Sequence, residues 1–440
     1  MLRLLSGYIM KTVKFITLGC KVNQFDTQSI RERFLGAGYS EIDNGKPADI
    51  YLINTCTVTH RADSDSLNLI RKAKRENSRA KIIVTGCLTE LDEDLIRQAA
   101  AKVIIVKNKD KEKLPSQGLT PKYNSRRAVL RGLSLRANSI SYFKGHTRAF
   151  LKIQDGCDNF CSYCKVPLVR GRSRSRGLDK IVSDARQLVK NGFKEIVLCG
   201  ICLGSYGKGL SSGKNLVDVI EALEKIDGLL RIRLSSIEAG DVSDKLIAKM
   251  AGSEKLCPHL HIPIQSGDDD ILKKMNRRYS RKDYLALIKR IKKNIPEVAI
   301  TTDVLVGFPG ESECNFQNTL KLIKEILPLK VHIFPYSPRK GTLASAKFNQ
   351  RIDPGIIKER IARLKDVAGS CSLEYKKQFL NRNMQVLVEG RSKENPAFWQ
   401  GHTGNFLEVL IRLDLNLSNK IVTTKLRKLK DDFVLAEIFH

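Results

Sequence analysis

Cys157, Cys161 and Cys164 stand in the run Gly156-Cys157-Asp158-Asn159-Phe160-Cys161-Ser162-Tyr163-Cys164-Lys165-Val166-Pro167. The C-x3-C-x2-C spacing puts three thiolates on one short loop, which suits three irons of a [4Fe–4S] cluster. Four irons and three cysteines leave one iron open. A substrate can then bind the cluster directly, which a four-cysteine electron carrier prevents. The alternative is zinc, which takes four ligands, commonly as two C-x-x-C-like pairs. No second pair lies nearby.

Three further cysteines follow predicted strands. Residues 13–18 read as a strand ending at Gly19-Cys20, residues 49–54 as one ending at Thr55-Cys56, and residues 81–85 as one ending at Gly86-Cys87. Helices over 27–36 and 67–76 separate them, so a parallel α/β sheet is predicted. Ligands of open parallel sheets bind at the carboxyl ends of strands. Cys20, Cys56 and Cys87 therefore converge, and again offer three thiolates to a four-iron cluster with one open iron. The alternative is three unrelated buried cysteines, which are common in cores.

The elements that must hold the first loop follow from about Thr147 to Leu373. Strands are predicted at 150–153, 195–198, 231–234, 259–262, 299–303 and 330–333, each before a helix. Six βα units suit a partial TIM-like barrel, with active groups on the loops after the strands. The Cys157 loop lies just after the first of these strands. Beyond it come Arg170, Arg172, Arg174 and Arg176. Arginines at alternate positions of an extended segment put charge on one face, where they can follow phosphates; the alternative is that some hold a cofactor or barrel-loop carboxylates. The last stretch turns β-rich, with short strands at 384–389, 406–409 and 433–438, and reads as a small all-β barrel of the kind that binds nucleic acid or caps its neighbour. Between sheet and barrel, Pro115 to Asn138 is rich in Arg and Ser and reads as a linker. The domain division expected is 11–135, 143–374 and 377–440.

A chain of 440 residues exceeds one ordinary domain, and 42% hydrophobic content can fill real cores. The net charge of +30 favours a polyanionic partner, most plausibly nucleic acid. Eleven cysteines, an odd number, argue against a secreted disulfide framework, and iron-binding thiols imply a reducing cytoplasm. No apolar run spans a membrane. Lys11 onward reads as the first strand, so Met10 is an alternative start to Met1. Cys199, Cys202, Cys257, Cys314 and Cys371 default to structural thiols, with a redox Cys199/Cys202 pair as the alternative. His259 and His261 alternate on one strand, where His261 faces either the lumen or the core.

With Tyr163 before its third cysteine, the loop resembles the signature of radical S-adenosylmethionine (SAM) enzymes. There the open iron takes the amino and carboxylate groups of SAM, and one electron splits it to methionine and a 5′-deoxyadenosyl radical. The runs Thr17-Leu18-Gly19-Cys20-Lys21-Val22-Asn23-Gln24, Asn54-Thr55-Cys56-Thr57-Val58-Thr59 and Thr85-Gly86-Cys87 resemble the amino-terminal domain of radical-SAM methylthiotransferases. Leu234-Ser235-Ser236-Ile237-Glu238, residues 258–267 and Gly307-Phe308-Pro309-Gly310-Glu311 resemble its central domain, and residues 386–389 and 401–406 its carboxy-terminal TRAM domain. The resemblance covers nearly the whole chain, in order. The run from Leu18 to Gln24 looks like the MtaB-type branch, which acts on N6-threonylcarbamoyladenosine in tRNA. Two positions depart from that branch: Cys202 stands where His is usual, and Leu88-Thr89-Glu90 follows Cys87 where an aromatic and a small residue are usual.

The resemblance implies a fold and a chemistry. The fold is α/β: an N-terminal parallel sheet domain, a central (β/α)6 radical-SAM barrel and a small C-terminal TRAM β-barrel that binds RNA. The cofactors are two [4Fe–4S] clusters and SAM, with Tyr163, Gly200, Ser235, Glu238 and Gln265 at the SAM site. The radical takes hydrogen from C2 of the adenine next to the anticodon, and the cluster on Cys20, Cys56 and Cys87 handles sulfur. An unreactive aromatic C–H requires a cofactor to carry the step. Partners are tRNA, a reductant such as flavodoxin or ferredoxin, and a sulfur donor. Alternatives are action on N6-isopentenyladenosine tRNA or on a ribosomal-protein aspartate, and, in another class, a non-catalytic iron–sulfur RNA-binding protein.

Overall fold

Strand β3 (Ile50–Thr55) is buried along its whole length, and its side chains alternate between two cores. Ile50 and Leu52 pack with Val13, Ile30, Phe34 and Ile83 on one face. Tyr51 and Ile53 pack with Ile70, Ala73, Ile82 and Val84 on the other. Burial on both faces marks the centre of a parallel sheet covered by helices. The computed structural model describes residues 11–43, 45–115 and 138–438. The expectations about Met1 to Met10, and about residues 116–137 of the linker, fall outside these residues.

The sheet runs β2 (Ser40–Glu41), β1 (Thr12–Thr17), β3, β4 (Lys81–Gly86), β5 (Val103–Ile105), all parallel. Helices α1 (Lys21–Gly36), α2 (His60–Glu76) and α3 (Glu93–Ala99) connect them. α1 begins at Lys21, directly after Cys20, rather than at Thr27. Its first turns bury Asn23, Asp26, Thr27 and Gln28, so the apolar period that marks a helix is missing there. Hydrogen bonds replace it. Asn54 Nδ2 donates to Asn23 O at 2.9 Å and to Thr27 Oγ1 at 3.0 Å, and Thr17 Oγ1 donates to Thr27 Oγ1 at 2.8 Å. The chain divides into two compact units, and residues 165–172 fold with this first one.

The second unit holds six parallel strands in two sheets of three. β6 (Arg148–Lys152), β9 (Glu195–Cys199) and β10 (Arg231–Leu234) form one; β11 (His259–His261), β12 (Ala299–Val306) and β13 (Lys330–Pro335) form the other. Parallel bridges Ile232–Leu256 and Ser236–His261 link them, which gives the open six-stranded barrel. A short ladder of β7 (Gln154–Asp155) and β8 (Arg174–Ser175) brackets the Cys157 loop.

The carboxy-terminal stretch is a closed barrel, ordered β14 (Asn383–Arg391), β15 (Phe398–Thr403), β16 (Glu408–Arg412), β18 (Phe433–Ile438), β17 (Ile421–Lys430). Its core takes in Ala299, Leu329, Tyr375 and Phe379 from the rest of the unit. It meets the amino-terminal ends of the six-stranded barrel. Arg148 Nε pairs with Glu389 at 3.0 Å, Arg231 donates to the carbonyls of His402 and Gln385, and Arg233 to those of Thr403 and Gly404. Phe406 stacks on His259 at 4.6 Å. The carboxyl ends of the six strands are left for the loops that carry chemistry.

Candidate active site

Gly86 explains how the first sheet presents Cys87. Its φ of +101° is in the region open mainly to glycine, and a Cβ there would lie 2.4 Å from Thr55 O. The strand end thus turns tightly against β3. Thr55 Oγ1 donates to Thr85 O at 2.7 Å and accepts from Leu88 N at 3.3 Å. Ser66 of α2 holds the Cys56 end, donating to Cys56 O at 3.1 Å. Gly19, at φ +94°, lets Cys56 approach: a Cβ at Gly19 would sit 2.9 Å from Cys56 Sγ and 3.2 Å from Asn23 Nδ2. Cys56 and Cys87 are buried and Cys20 is exposed.

These three thiols act on one another electrostatically. Burial pushes the Cys56 thiol up to about 11, and Cys20 and Cys87 push in the same direction. Burial also raises Cys87, while the Arg170 guanidinium pulls it back down. Thiols that resist ionisation when empty are ionised by a metal, and the buried cations here favour the thiolates. The donor set fits a cluster held by three cysteines.

The Cys157 loop is anchored by backbone and side chains. Gln154 Nε2 donates to Gly156 O at 2.8 Å, Ser162 Oγ to Lys274 O at 2.7 Å and Asn276 Nδ2 to Phe160 O at 2.9 Å. Tyr163 packs beside the core of Ile271, Met275, Leu305 and Phe308. Arg277 ties the loop to the barrel: Nη1 lies 3.4 Å from Cys161 Sγ, and Nη2 lies 2.5 Å from Glu238 and 3.0 Å from Pro263 O. Burial raises the Glu238 carboxyl, against the pull of Arg277. Ser235 Oγ is buried and makes no hydrogen bond among the described residues, an open donor at a strand end. Gln265 holds φ +69°, a strained conformation for its type, while Gln265 N donates to Asp303 O at 2.8 Å. A Cβ on Gly200 would meet Gln154 Oε1 at 2.8 Å. Three thiols on one loop, with an unsatisfied hydroxyl at a nearby strand end, fit a cluster and a polar ligand beside it.

Sequence reasoning missed Arg277, which spacing could not tie to a cysteine over a hundred residues away. Cys202 stands out in the sequence as a departure from the family pattern and as half of a C-x-x-C pair with Cys199. In the fold its thiol hydrogen-bonds Cys157, which lowers Cys157 and raises Cys202, and it approaches Asp241 Oδ2 at 3.3 Å. Cys199 instead donates to Val197 O at 3.2 Å. His261 lines the barrel interior. Thr302 faces the outer helix, with Tyr284 Oη donating to its Oγ1 at 3.3 Å, so its neighbours Thr301 and Asp303 face inward. His261 Nδ1 lies 2.9 Å from Thr301 Oγ1 and Nε2 lies 3.2 Å from Asp303 Oδ1. With His332 these groups make a polar wall inside the barrel.

Two of the four arginines differ from the phosphate-facing arrangement expected. Arg170 is buried and hydrogen-bonds Asn23 Oδ1. Arg176 donates to Lys152 O at 2.6 Å and to Asp184 at 2.7 Å, nearly buried. Helix α4 (Val166–Arg170), opened by Pro167 and closed by Gly171 at φ +72°, breaks the alternation. Arg172 and Arg174 are exposed.

The chain matches the Radical SAM superfamily over residues 151–323 and the Uncharacterized protein family UPF0004 over residues 12–107. It is 39% identical to the threonylcarbamoyladenosine tRNA methylthiotransferase MtaB of Bacillus subtilis, over 95% of this chain and 94% of that protein. This chain belongs to the tRNA methylthiotransferase family of radical SAM enzymes. A second relative, the tRNA-2-methylthio-N(6)-dimethylallyladenosine synthase of Acetivibrio thermocellus, is 36% identical over 94% of this chain and 88% of that protein. Among solved structures, the radical S-adenosylmethionine methyltransferase TsrM from Kitasatospora setae aligns with a TM-score of 0.54. It is 15% identical over 77% of each chain, which supports the fold. The methylthiotransferase is thus an enzyme that transfers a sulfur-containing group, and its cofactors are two [4Fe–4S] clusters and SAM. Among the described residues no helix is long and apolar enough to cross a membrane.

Proposed function

We propose that this enzyme adds a methylthio group to C2 of N6-threonylcarbamoyladenosine next to the anticodon of tRNA. The observation that carries the reading is the 39% identity to the Bacillus subtilis enzyme of that name, together with the Leu18 to Gln24 run. Cys157, Cys161 and Cys164 hold one cluster and Cys20, Cys56 and Cys87 the other. When bound, the first cluster and SAM supply a radical strong enough to break an aromatic C–H bond. Gly200, Ser235, Glu238 and Gln265 bind SAM at the carboxyl ends of the strands, with Ser235 Oγ as an available hydrogen-bonding group. Arg277 keeps the cysteine loop and Glu238 in one arrangement. A reductant such as flavodoxin or ferredoxin and a sulfur donor act with it, in the cytoplasm. We expect nucleosides of tRNA incubated with the enzyme, or compared between parent and deletion strains, to show 2-methylthio-N6-threonylcarbamoyladenosine dependent on this chain. Mass spectrometry that instead finds only the isopentenyl product would move the enzyme to the other branch.

Arg172 and Arg174 are the arginines of the run that bind tRNA phosphates. Replacing each with Ala should weaken tRNA binding and lower the slope of log affinity against log salt by about one for each phosphate no longer neutralised. Unchanged slopes in both variants would remove these residues from the interface. Deleting the carboxy-terminal barrel is a poorer test. Arg231 and Arg233 would lose their carbonyl acceptors, so weaker binding would not separate a lost RNA contact from a disturbed six-stranded barrel.

A further inference from the structure

We propose that Arg170 is a positioning residue for the cluster site of Cys20, Cys56 and Cys87, where its buried guanidinium raises the reduction potential of the bound centre. This rests on the reading that those three thiols hold a cluster. Arg170 lies in the segment that directly follows Cys164, yet that segment folds with the amino-terminal unit. α4 packs against the turn that begins at Cys87, and Asn108 Nδ2 fastens it through Val169 O at 3.0 Å. The guanidinium side chain is 2% exposed.

Its neighbours place it beside sulfur. Asn23 Oδ1 accepts from Arg170, and the amide of the same Asn23 borders the space next to Cys56 Sγ at Gly19. Asn23 itself is fixed by Leu18 O at 2.7 Å and Thr55 O at 3.0 Å, the backbone leading into Cys20 and Cys56. Arg170 also hydrogen-bonds the Cys87 thiol and acts on that of Cys56. Asp26 lies 3.7 Å from Arg170 and also pairs with Lys111, so among these three groups the cations outnumber the carboxylate.

A buried guanidinium is costly to desolvate, and the site retains it where thiolates gather. Reduction adds one electron and one negative charge to the centre. A fixed cation nearby stabilises the reduced form more than the oxidised one, the more so where water is excluded. Cluster potentials follow net charge, hydrogen bonds to sulfur and exposure, and Arg170 contributes to the first two.

The test uses the full chain with Cys157, Cys161 and Cys164 all replaced by Ala, anaerobically reconstituted, so that only the second cluster remains. Dithionite supplies the electron, and the midpoint potential is followed by electron paramagnetic resonance. In that background Arg170→Gln should retain the iron but lower the equilibrium constant for reduction about tenfold or more, a shift of about 59 mV to lower potential per factor of ten. Arg170→Lys should stay close to the parent. Parent-like potential in Arg170→Gln, or the same drop in Arg170→Lys, would overturn the proposal. If Arg170→Gln loses its iron, Asn23→Ala, which releases the guanidinium from its anchor, must show a smaller drop in the same direction; no drop overturns the proposal. Absence of iron from the background itself would instead sink the reading that Cys20, Cys56 and Cys87 hold a cluster.

Discussion

Replacing Cys157, Cys161 and Cys164 together by Ala is expected to remove about half of the iron and all reductive cleavage of SAM. Anaerobically reconstituted wild-type enzyme should hold about eight irons, and the variant about four. The loss should be confined to the loop, because most of what anchors it does not involve sulfur. Ser162 binds Lys274 O, Ser162 N takes Met275 O at 2.9 Å, and Asn276 binds Phe160 O. The side chains that lose a sulfur partner are Arg277 at Cys161, which keeps Glu238 and Pro263 O, and Cys202 at Cys157, which keeps Asp241. Folding therefore survives while the metal site does not. Iron and sulfide analysis with a 5′-deoxyadenosine assay reads both quantities, and undiminished SAM cleavage in the triple variant would end the assignment.

What can be read in the sequence divides along physical lines. Thiol spacing is local information, so the Cys157 loop is legible from its residues alone. Cys20, Cys56 and Cys87 are legible because each closes a strand with a strong apolar or β-branched pattern. α1 reads short in the sequence because its amino-terminal turns bury polar side chains in a hydrogen-bond network, which periodicity cannot register. The same network hides the place of Arg170: as an extended run the arginines alternate, but α4 and Gly171 put alternate residues into different surroundings. In the carboxy-terminal barrel, three of five strands are visible in the sequence pattern. β17 escapes it because Lys425, Arg427, Lys428 and Lys430 dilute its alternation. β15 escapes it because it carries Gly401, needed where a Cβ would lie 2.3 Å from Leu387 O. The residues that make this barrel recognisable, His402 to Phe406, pack inward against Arg231, Arg233 and His259.

Single replacement of Cys20, Cys56 or Cys87 by Ala should abolish the methylthio product while SAM cleavage stays measurable. The two sets of cysteines stand on separate elements: one on strand ends of the parallel sheet, the other on a loop of the six-stranded barrel. Removing a thiol from the sheet leaves the Cys157 loop and its anchors intact. Losing a ligand should cost more than the 10–100-fold typical of losing a residue that only supports one, so product should fall by about a hundredfold or more. Cys20→Ala is the cleanest of the three, since Cys20 is exposed and its removal opens no cavity, whereas Cys56 and Cys87 are buried. In each variant the nucleoside product is measured by mass spectrometry beside 5′-deoxyadenosine. Three variants with normal methylthio product would show that these thiols take no part in handling sulfur. Loss of both products in Cys20→Ala, with the fold intact by circular dichroism, would show that the two sites do not work separately.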